Sequence, residues 1–269
     1  MSADFVDVPD GYLYYEQRGT GPDVVFINAG LADLRMWDST VSWLADVARV
    51  TRWDTRDTGL SSEATGPFSE IDDLTAVLDA AAVSRAILVG CSNGGRQALA
   101  YAHRHPDRVA HVCVVGGSFG EFPDPSPEEL LAREEMKRTF TQIEHVLATE
   151  GIRAAITLDV DSWCPALDEP LRRQLIGWEV ANSHVLTMEV AHGVELDPPI
   201  QTRFAELTTP VSVLVGGRDF QGTQLWAKRL ADQAPNATLQ VLPEADHFAM
   251  LSAPEEFKQF LTRALETSR

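Results

Sequence analysis

An α/β fold, with a mostly parallel sheet flanked by helices and one helical insertion, is what this sequence predicts. Three observations predict it. Short β-branched and apolar runs alternate with amphipathic stretches through residues 1–120. The alternation stops over residues 121–206 and resumes over 207–269. A glycine-rich turn joins one apolar run directly to a helix-forming stretch. Continuous apolar strands separated by amphipathic helices indicate a parallel sheet covered on both faces.

The elements follow in order. Residues 5–8 and 13–16 are strand-like and suit an antiparallel edge hairpin. Residues 24–28, 50–54, 86–90 and 111–115 are short strand-like runs, each read as a buried strand. Ile71, Leu74, Val77 and Leu78 recur at spacings of three and four, the period of a helix face. Pro123, Pro125 and Pro127 then precede Glu128-Glu129-Leu130-Leu131-Ala132-Arg133, which favours helix, and no buried strand is expected before residue 207. A strand at 211–215, a helix from Thr223, a strand at 238–242 and a last helix at 254–265 complete the pattern. The domain expectation is therefore a core of residues 1–120 and 207–269, with residues 121–206 as a helical lid.

Composition bounds the function. The chain has 269 residues, 44% of them hydrophobic, enough for a large core. Its 22 basic and 40 acidic residues give a formal charge of −18. Such a field repels phosphate backbones and anionic lipids, so neither nucleic acid nor a membrane surface is expected as a partner. No apolar run reaches the length of about 18 residues that a membrane span needs. The acidic start Met1-Ser2-Ala3-Asp4 does not read as a secretory signal. Cys91, Cys113 and Cys164 are odd in number and widely spaced, which suits neither a disulfide framework nor a thiolate metal site. A cytoplasmic address is the expectation.

Chemistry concentrates at Gly90-Cys91-Ser92-Asn93-Gly94-Gly95, between the 86–90 strand and the helix-forming run from Arg96. Strand, tight turn and helix is the setting in which G-x-S-x-G presents a nucleophile. Ser92 then stands at a helix N-terminus, where the helix dipole favours developing negative charge. Cys91 is out of frame and reads as a small buried hydrophobe. A serine hydroxyl needs a base, and the base needs an orienting acid. His247, just past the 238–242 strand, is the candidate base. His103 and His105 close a helix, while His145, His184 and His192 fall in the insertion without metal-ligand spacing, so no metal site is expected. Asp219, after Gly216-Gly217-Arg218 at the end of a strand, is the candidate acid, with Asp246 and Glu121 as the competing carboxylates. The order Ser92, Asp219, His247 is that of a nucleophile-elbow hydrolase.

With these residues in place, the chain resembles an α/β-hydrolase over almost its whole length. Within that superfamily it is most similar to 3-oxoadipate enol-lactonases and related lactonase-esterases. The likeness rests on Asn28-Ala29-Gly30-Leu31-Ala32-Asp33-Leu34-Arg35-Met36-Trp37-Asp38, on Trp53-Asp54-Thr55-Arg56-Asp57-Thr58-Gly59-Leu60-Ser61, and on Ala245-Asp246-His247 through Pro254-Glu255. Asp57 departs from a usual glycine. The resemblance implies an oxyanion hole from the N–H groups of Gly30 and Asn93, with Leu31 replacing Gly30 if the register shifts by one. The Asn93 side chain has two readings, a polar contact at the mouth of the site or a partner for its own turn.

The expectation is a cofactor-independent serine hydrolase of a small carboxylic ester or lactone, working through an acyl-enzyme. The alternatives are a C–C bond hydrolase or cofactor-free lyase on the same fold, or a silent ligand-binding relative. Oligomeric state is not legible. In the lid, Phe140, Trp163, Trp178, Leu186 and Met188 are candidates for an apolar pocket. Arg133, Lys137, Arg138, Arg153, Arg172 and Arg173 are the cations that a carboxylated substrate could use. If none faces the pocket, neutral substrates are expected to be preferred.

Overall fold

A computed structural model describes residues 2–188, 193–194 and 197–267; His192 lies outside the described residues. The chain opens with β1 (Ser2–Val8) and β2 (Gly11–Arg18), the expected antiparallel hairpin. Then come β3 (Asp23–Ile27), α1 (Asp38–Leu44), β4 (Arg49–Trp53), β5 (Phe68–Ser69), α2 (Glu70–Ala80), β6 (Ala86–Cys91), α3 (Asn93–Arg104) and β7 (Val109–Val115). Three helices follow, α4 (Pro127–Glu150), α5 (Ile152–Trp163) and α6 (Glu169–Ala181), and then the short β8 (Gly193–Val194). The alternation returns with β9 (Val211–Gly216), α7 (Gln221–Gln233), β10 (Ala237–Leu242), α8 (Ala249–Ser252) and α9 (Pro254–Thr267).

The main sheet runs β1-β2-β4-β3-β6-β7-β9-β10. It is antiparallel at β1-β2 and β2-β4 and parallel from there on. Side chains of its central strands alternate between two cores. Val24 and Phe26 of β3, with Ile87 and Val89 of β6, face Trp37, Phe257 and Phe260. Val25 and Ile27, with Leu88, face Leu74, Leu99 and Tyr101 on the other side. Burying both faces is why these strands read as unbroken apolar runs; each large side chain contributes about 2–3 kcal/mol. β7 starts two residues ahead of the expected span, at Val109, pairing with Ala86. Beyond the sequence pattern, β5 pairs with β8 in a separate two-stranded parallel sheet.

Local chemistry sets the helices between β7 and β9. Ser126 caps α4 by accepting from Glu129 N at 3.1 Å, and Glu129 Oε2 accepts from Ser126 N at 2.7 Å. Pro127 occupies the first turn, where no intrahelical donor is lost. Asp168 caps α6 by accepting from Leu171 N at 2.9 Å. These helices are tied to the carboxyl edge of the sheet. Buried Asn182 donates to Leu31 O at 2.9 Å and Asp33 Oδ2 at 3.0 Å, and accepts from Gly59 N at 3.0 Å. Among the described residues, no helix is long and apolar enough to cross a membrane.

Candidate active site

The site begins with the turn between β6 and α3. Ser92 has φ 55° and ψ −120°, a conformation that side chains rarely adopt. The turn is tight enough that a Cβ on Gly94 would lie 2.6 Å from Asn28 O, and closer still to Ile27 O. A Cβ on Gly90 would press into the Gly94 carbonyl. Strand and helix can meet here only because both positions are glycine. Asn93 is the first residue of α3, so its N–H has no intrahelical acceptor.

Asp219 follows β9 and His247 follows β10, and the structure brings them together. His247 Nδ1 lies 2.7 Å from Asp219 Oδ2. Both residues are buried, at 3% and 5% exposure, and the Phe220 N–H donates to Asp219 Oδ1 at 2.7 Å. With two acceptor contacts the carboxylate is held in one orientation, which points the other ring nitrogen of His247 away from it. Ser92 and His247 open into one cavity of about 470 Å³.

The competing groups are elsewhere. Asp246 is fully buried, accepting from Ala166 N at 3.0 Å, Phe248 N at 3.1 Å and Ser252 Oγ at 2.8 Å. It braces the loop that carries His247. Glu121 is on the surface, paired with Arg133. Cys91 is buried with Sγ 3.9 Å from His247 O, and burial, with Asp219 and Asp246 nearby, pushes its thiol well above the usual range. It is not poised to form a thiolate. His103 pairs with Glu206 at 2.8 Å and His111 with Ser212 Oγ at 2.8 Å. No cluster of three His, Cys, Asp or Glu side chains suited to a metal occurs among the described residues.

Gly30 and Leu31 both lie on the wall of the Ser92 cavity, so the structure keeps either as a candidate partner for Asn93. Gly30 and Asn93 also line a second cavity of about 470 Å³, with Trp53, Arg56, Glu70, Asp73 and Arg96. Its arginines are engaged, Arg56 with Asp73 at 2.7 Å and Arg96 with Glu70 at 2.5 Å. The Asn93 side chain serves this network, accepting from Arg96 Nε at 2.8 Å.

Of the candidate pocket residues, Phe140, Trp163 and Leu186 line the Ser92 cavity and Met188 lines the second. Trp178 instead packs in the core, with the Arg35 guanidinium 5.9 Å from its ring centroid. Trp163 covers His247, with ring centroids 4.3 Å apart, and its carbonyl accepts the His247 N–H at 3.2 Å. None of the six candidate cations is on the wall of the Ser92 cavity, and no Lys or Arg is among its described lining residues. Arg133 and Lys137 line a separate cavity, while Arg172 pairs with Asp161 at 2.5 Å.

Three carboxyl groups in this wall escaped the sequence reading, Glu144, Asp159 and Glu179. Burial pushes Asp159 up to about 6, against the hydrogen bond from Trp163 Nε1. Burial, with Asp159 nearby, raises Glu179 well above the carboxylate range. A signal was present: Glu179 lies four residues after buried Leu175, and Asp159 three after buried Ile156, so each shares an inward helix face.

The family model described as "alpha/beta hydrolase fold" matches residues 22–144. The chain is also 30% identical over 269 residues to the protein named "Putative carbamate hydrolase RutD" in Caulobacter sp. (strain K31), across 91% of this chain and 92% of that one. This chain belongs to the α/β-hydrolase family. Another member, 3-oxoadipate enol-lactonase 2 of Acinetobacter baylyi, is 27% identical over 257 residues, across 93% of this chain and 91% of the relative. Among solved structures, Est816, described as an N-acyl homoserine lactone degrading enzyme, aligns with a TM-score of 0.76 at 25% identity. That alignment covers 97% of this α/β-hydrolase and 99% of Est816.

Proposed function

We propose that this α/β-hydrolase cleaves a small carboxylic ester or lactone through Ser92, His247 and Asp219, with residues 121–206 acting as the lid. The observation that carries the reading is the 2.7 Å contact between Asp219 Oδ2 and His247 Nδ1, beside a cavity shared by His247 and Ser92. Relatives named as a carbamate hydrolase and an enol-lactonase support an ester-type acyl bond as the target.

In this reading Ser92 Oγ attacks the carbonyl carbon as His247 Nε2 takes its proton. The tetrahedral oxyanion sits against the N–H groups of Asn93 and Gly30, with Leu31 the alternative to Gly30; each donor is worth about 3–4 kcal/mol. Collapse breaks the C–O bond, and His247 returns the proton to the departing oxygen. Water, deprotonated by His247, then adds to the acyl-enzyme and releases the acid and free Ser92. Asp219 holds the imidazole tautomer and stabilises the imidazolium. A cavity wall with no Lys or Arg among its described residues favours neutral over carboxylated substrates.

Labelling with a fluorophosphonate tests the mechanism. Wild type should be modified at Ser92. Ser92→Ala should remain folded, lose labelling and lose about a factor of 10⁶ in kcat on a chromogenic ester. Undiminished turnover by Ser92→Ala, or a label on Cys91, would overturn the assignment.

A further inference from the structure

Asp159 of α5 and Glu179 of α6 take no part in the acyl-transfer chemistry, yet both line the cavity of Ser92 and His247. Glu179 is 4% exposed, and its Oε2 has no hydrogen-bond partner among the described residues. Asp159 Oδ1 accepts from Trp163 Nε1 at 3.2 Å, and Trp163 in turn lies against His247. The other titratable side chains on this wall are Glu144 from α4, Cys164 and His247. A buried acceptor without a donor weakens the fold, and an apolar side chain at 179 would remove that cost. α6 places apolar side chains at Leu175, Ile176 and Trp178, so the carboxyl stands out on an otherwise apolar inward surface. Among the described residues no donor reaches Glu179 Oε2, and the cavity is where one can arrive.

We infer that Asp159 and Glu179 form a substrate subsite selecting esters or lactones that carry a hydrogen-bond donor, a hydroxyl or a protonated amine, away from the scissile carbonyl. The inference rests on the serine-hydrolase reading and adds the substrate class to it. A donor entering this wall meets the open Glu179 Oε2, and a protonated amine also meets the charge that a carboxylate retains. A substrate carboxylate would face these two carboxyl groups and Glu144, with no Lys or Arg among the described lining residues, and is rejected. Two neighbouring carboxyls resist ionising together, and a carboxyl oxygen accepts from a hydroxyl in either protonation state, so the pair takes a neutral donor as well as a cation.

The test uses 4-nitrophenyl alkylphosphonates that differ only at the chain end: hexyl, ω-hydroxyhexyl, ω-aminohexyl and ω-carboxypentyl. The readout is the rate constant for Ser92 modification, followed by nitrophenolate release and the mass of the labelled peptide. Wild type should react about tenfold faster with the hydroxyl and ammonium probes than with hexyl, and about tenfold slower with the carboxylate. Glu179→Leu should bring the four rates together. Glu179→Gln, which preserves shape and an acceptor, should keep the hydroxyl preference, whereas Asp159→Asn, which removes the more readily ionised member of the pair, should lose most of the ammonium preference. If Glu179→Leu fails to fold, Glu179→Gln and Asp159→Asn carry the comparison. Equal rates in wild type, a carboxylate preference, or an unchanged order in the variants would overturn the subsite alone. A folded wild type unlabelled at Ser92 by every probe would overturn the serine mechanism, and the subsite with it.

Discussion

Helices α3 and α4 solve opposite problems. α3 is 12 residues long and buries nine of them, Gly94 through Ala102. α4 is twice as long, at 24 residues, and buries only Ala132, Met136 and Ile143. α3 is wedged against the sheet with its first turn beneath the Ser92 backbone, where a single added carbon meets carbonyl oxygens. α4 rests on its neighbours through a narrow stripe and leaves Leu131 and Phe140 exposed. The catalytic geometry proposed for Ser92 thus sits on the tightly packed part, while α4, packed through fewer buried side chains, supplies Phe140, Ile143, Glu144 and Leu147 to the cavity wall. A closely packed scaffold with a more loosely packed helix beside the cavity is a division that lets one chemistry serve different substrates.

The largest expected effect lies on the rigid side. Asp219→Asn should lower kcat by about 10⁴ with little change in KM, because it disturbs His247 and not substrate contacts. Steady-state kinetics decide it, and a KM effect without a kcat effect would place Asp219 in substrate binding instead.

Gly94→Ala comes next. Its Cβ has no space between Asn28 O and Ile27 O, and backbone cannot give way as a side chain does. A loss of about 3–4 kcal/mol in denaturant unfolding is expected. A neutral result would mean that the wedge is looser than the distances indicate.

Asp54 sharpens the comparison through pH. It follows β4 and accepts from Leu34 N and Leu60 N, each at 2.9 Å. Burial outweighs these bonds and pushes its carboxyl from 3.8 up to about 6. The folded state therefore binds more protons than the unfolded state between those values, so stability falls as pH rises through the window and levels off above about 6. The full effect is about 3 kcal/mol. Asp54→Asn removes this contribution, so the stability difference between wild type and variant should shift against wild type from pH 4 to pH 7. Equilibrium unfolding at both pH values checks it; a constant difference would contradict the raised value.

The smallest effect belongs to α4. Leu131→Ala removes a side chain that is 72% exposed and should change stability by less than about 0.5 kcal/mol. A larger loss in thermal unfolding would mean that α4 is held more firmly than its narrow buried stripe implies.

Much of the proposed site was legible for local reasons. Gly90 and Gly94 announce a turn in which a Cβ does not fit, and the middle one of the three residues between them, Ser92, is the one proposed as nucleophile. Asp219 follows the apolar run of β9, and His247 follows β10, whose Thr-Leu-Gln-Val-Leu alternation is weaker but still strand-like, so their common edge follows from the parallel sheet. Asp246 was harder. Its neighbour His247 drew attention, but its own burial comes from Ala166 and Ser252, contacts no sequence pattern shows. Asn182 passed unnoticed because its partners, Gly59 and Leu31, lie 123 and 151 residues away. The β5–β8 pair was missed because two-residue strands have too little periodicity to detect.

The sequence by itself determined the fold class, the order of the strands that end at the site, and the three side chains proposed for the chemistry. Each depends on physics within one element or at one turn: a period of two or three to four, a cap, a glycine that a close backbone demands. Only the tertiary structure decided that Asp159 and Glu179 share the cavity of Ser92, that Trp163 and not Trp178 covers His247, and that none of the candidate cations reaches that wall. Helical periodicity marks the inward face of α5 or α6 but not what that face will meet. That depends on how the helices rotate and dock against loops from distant parts of the chain, a free energy summed over many weak contacts and written in no single stretch of residues.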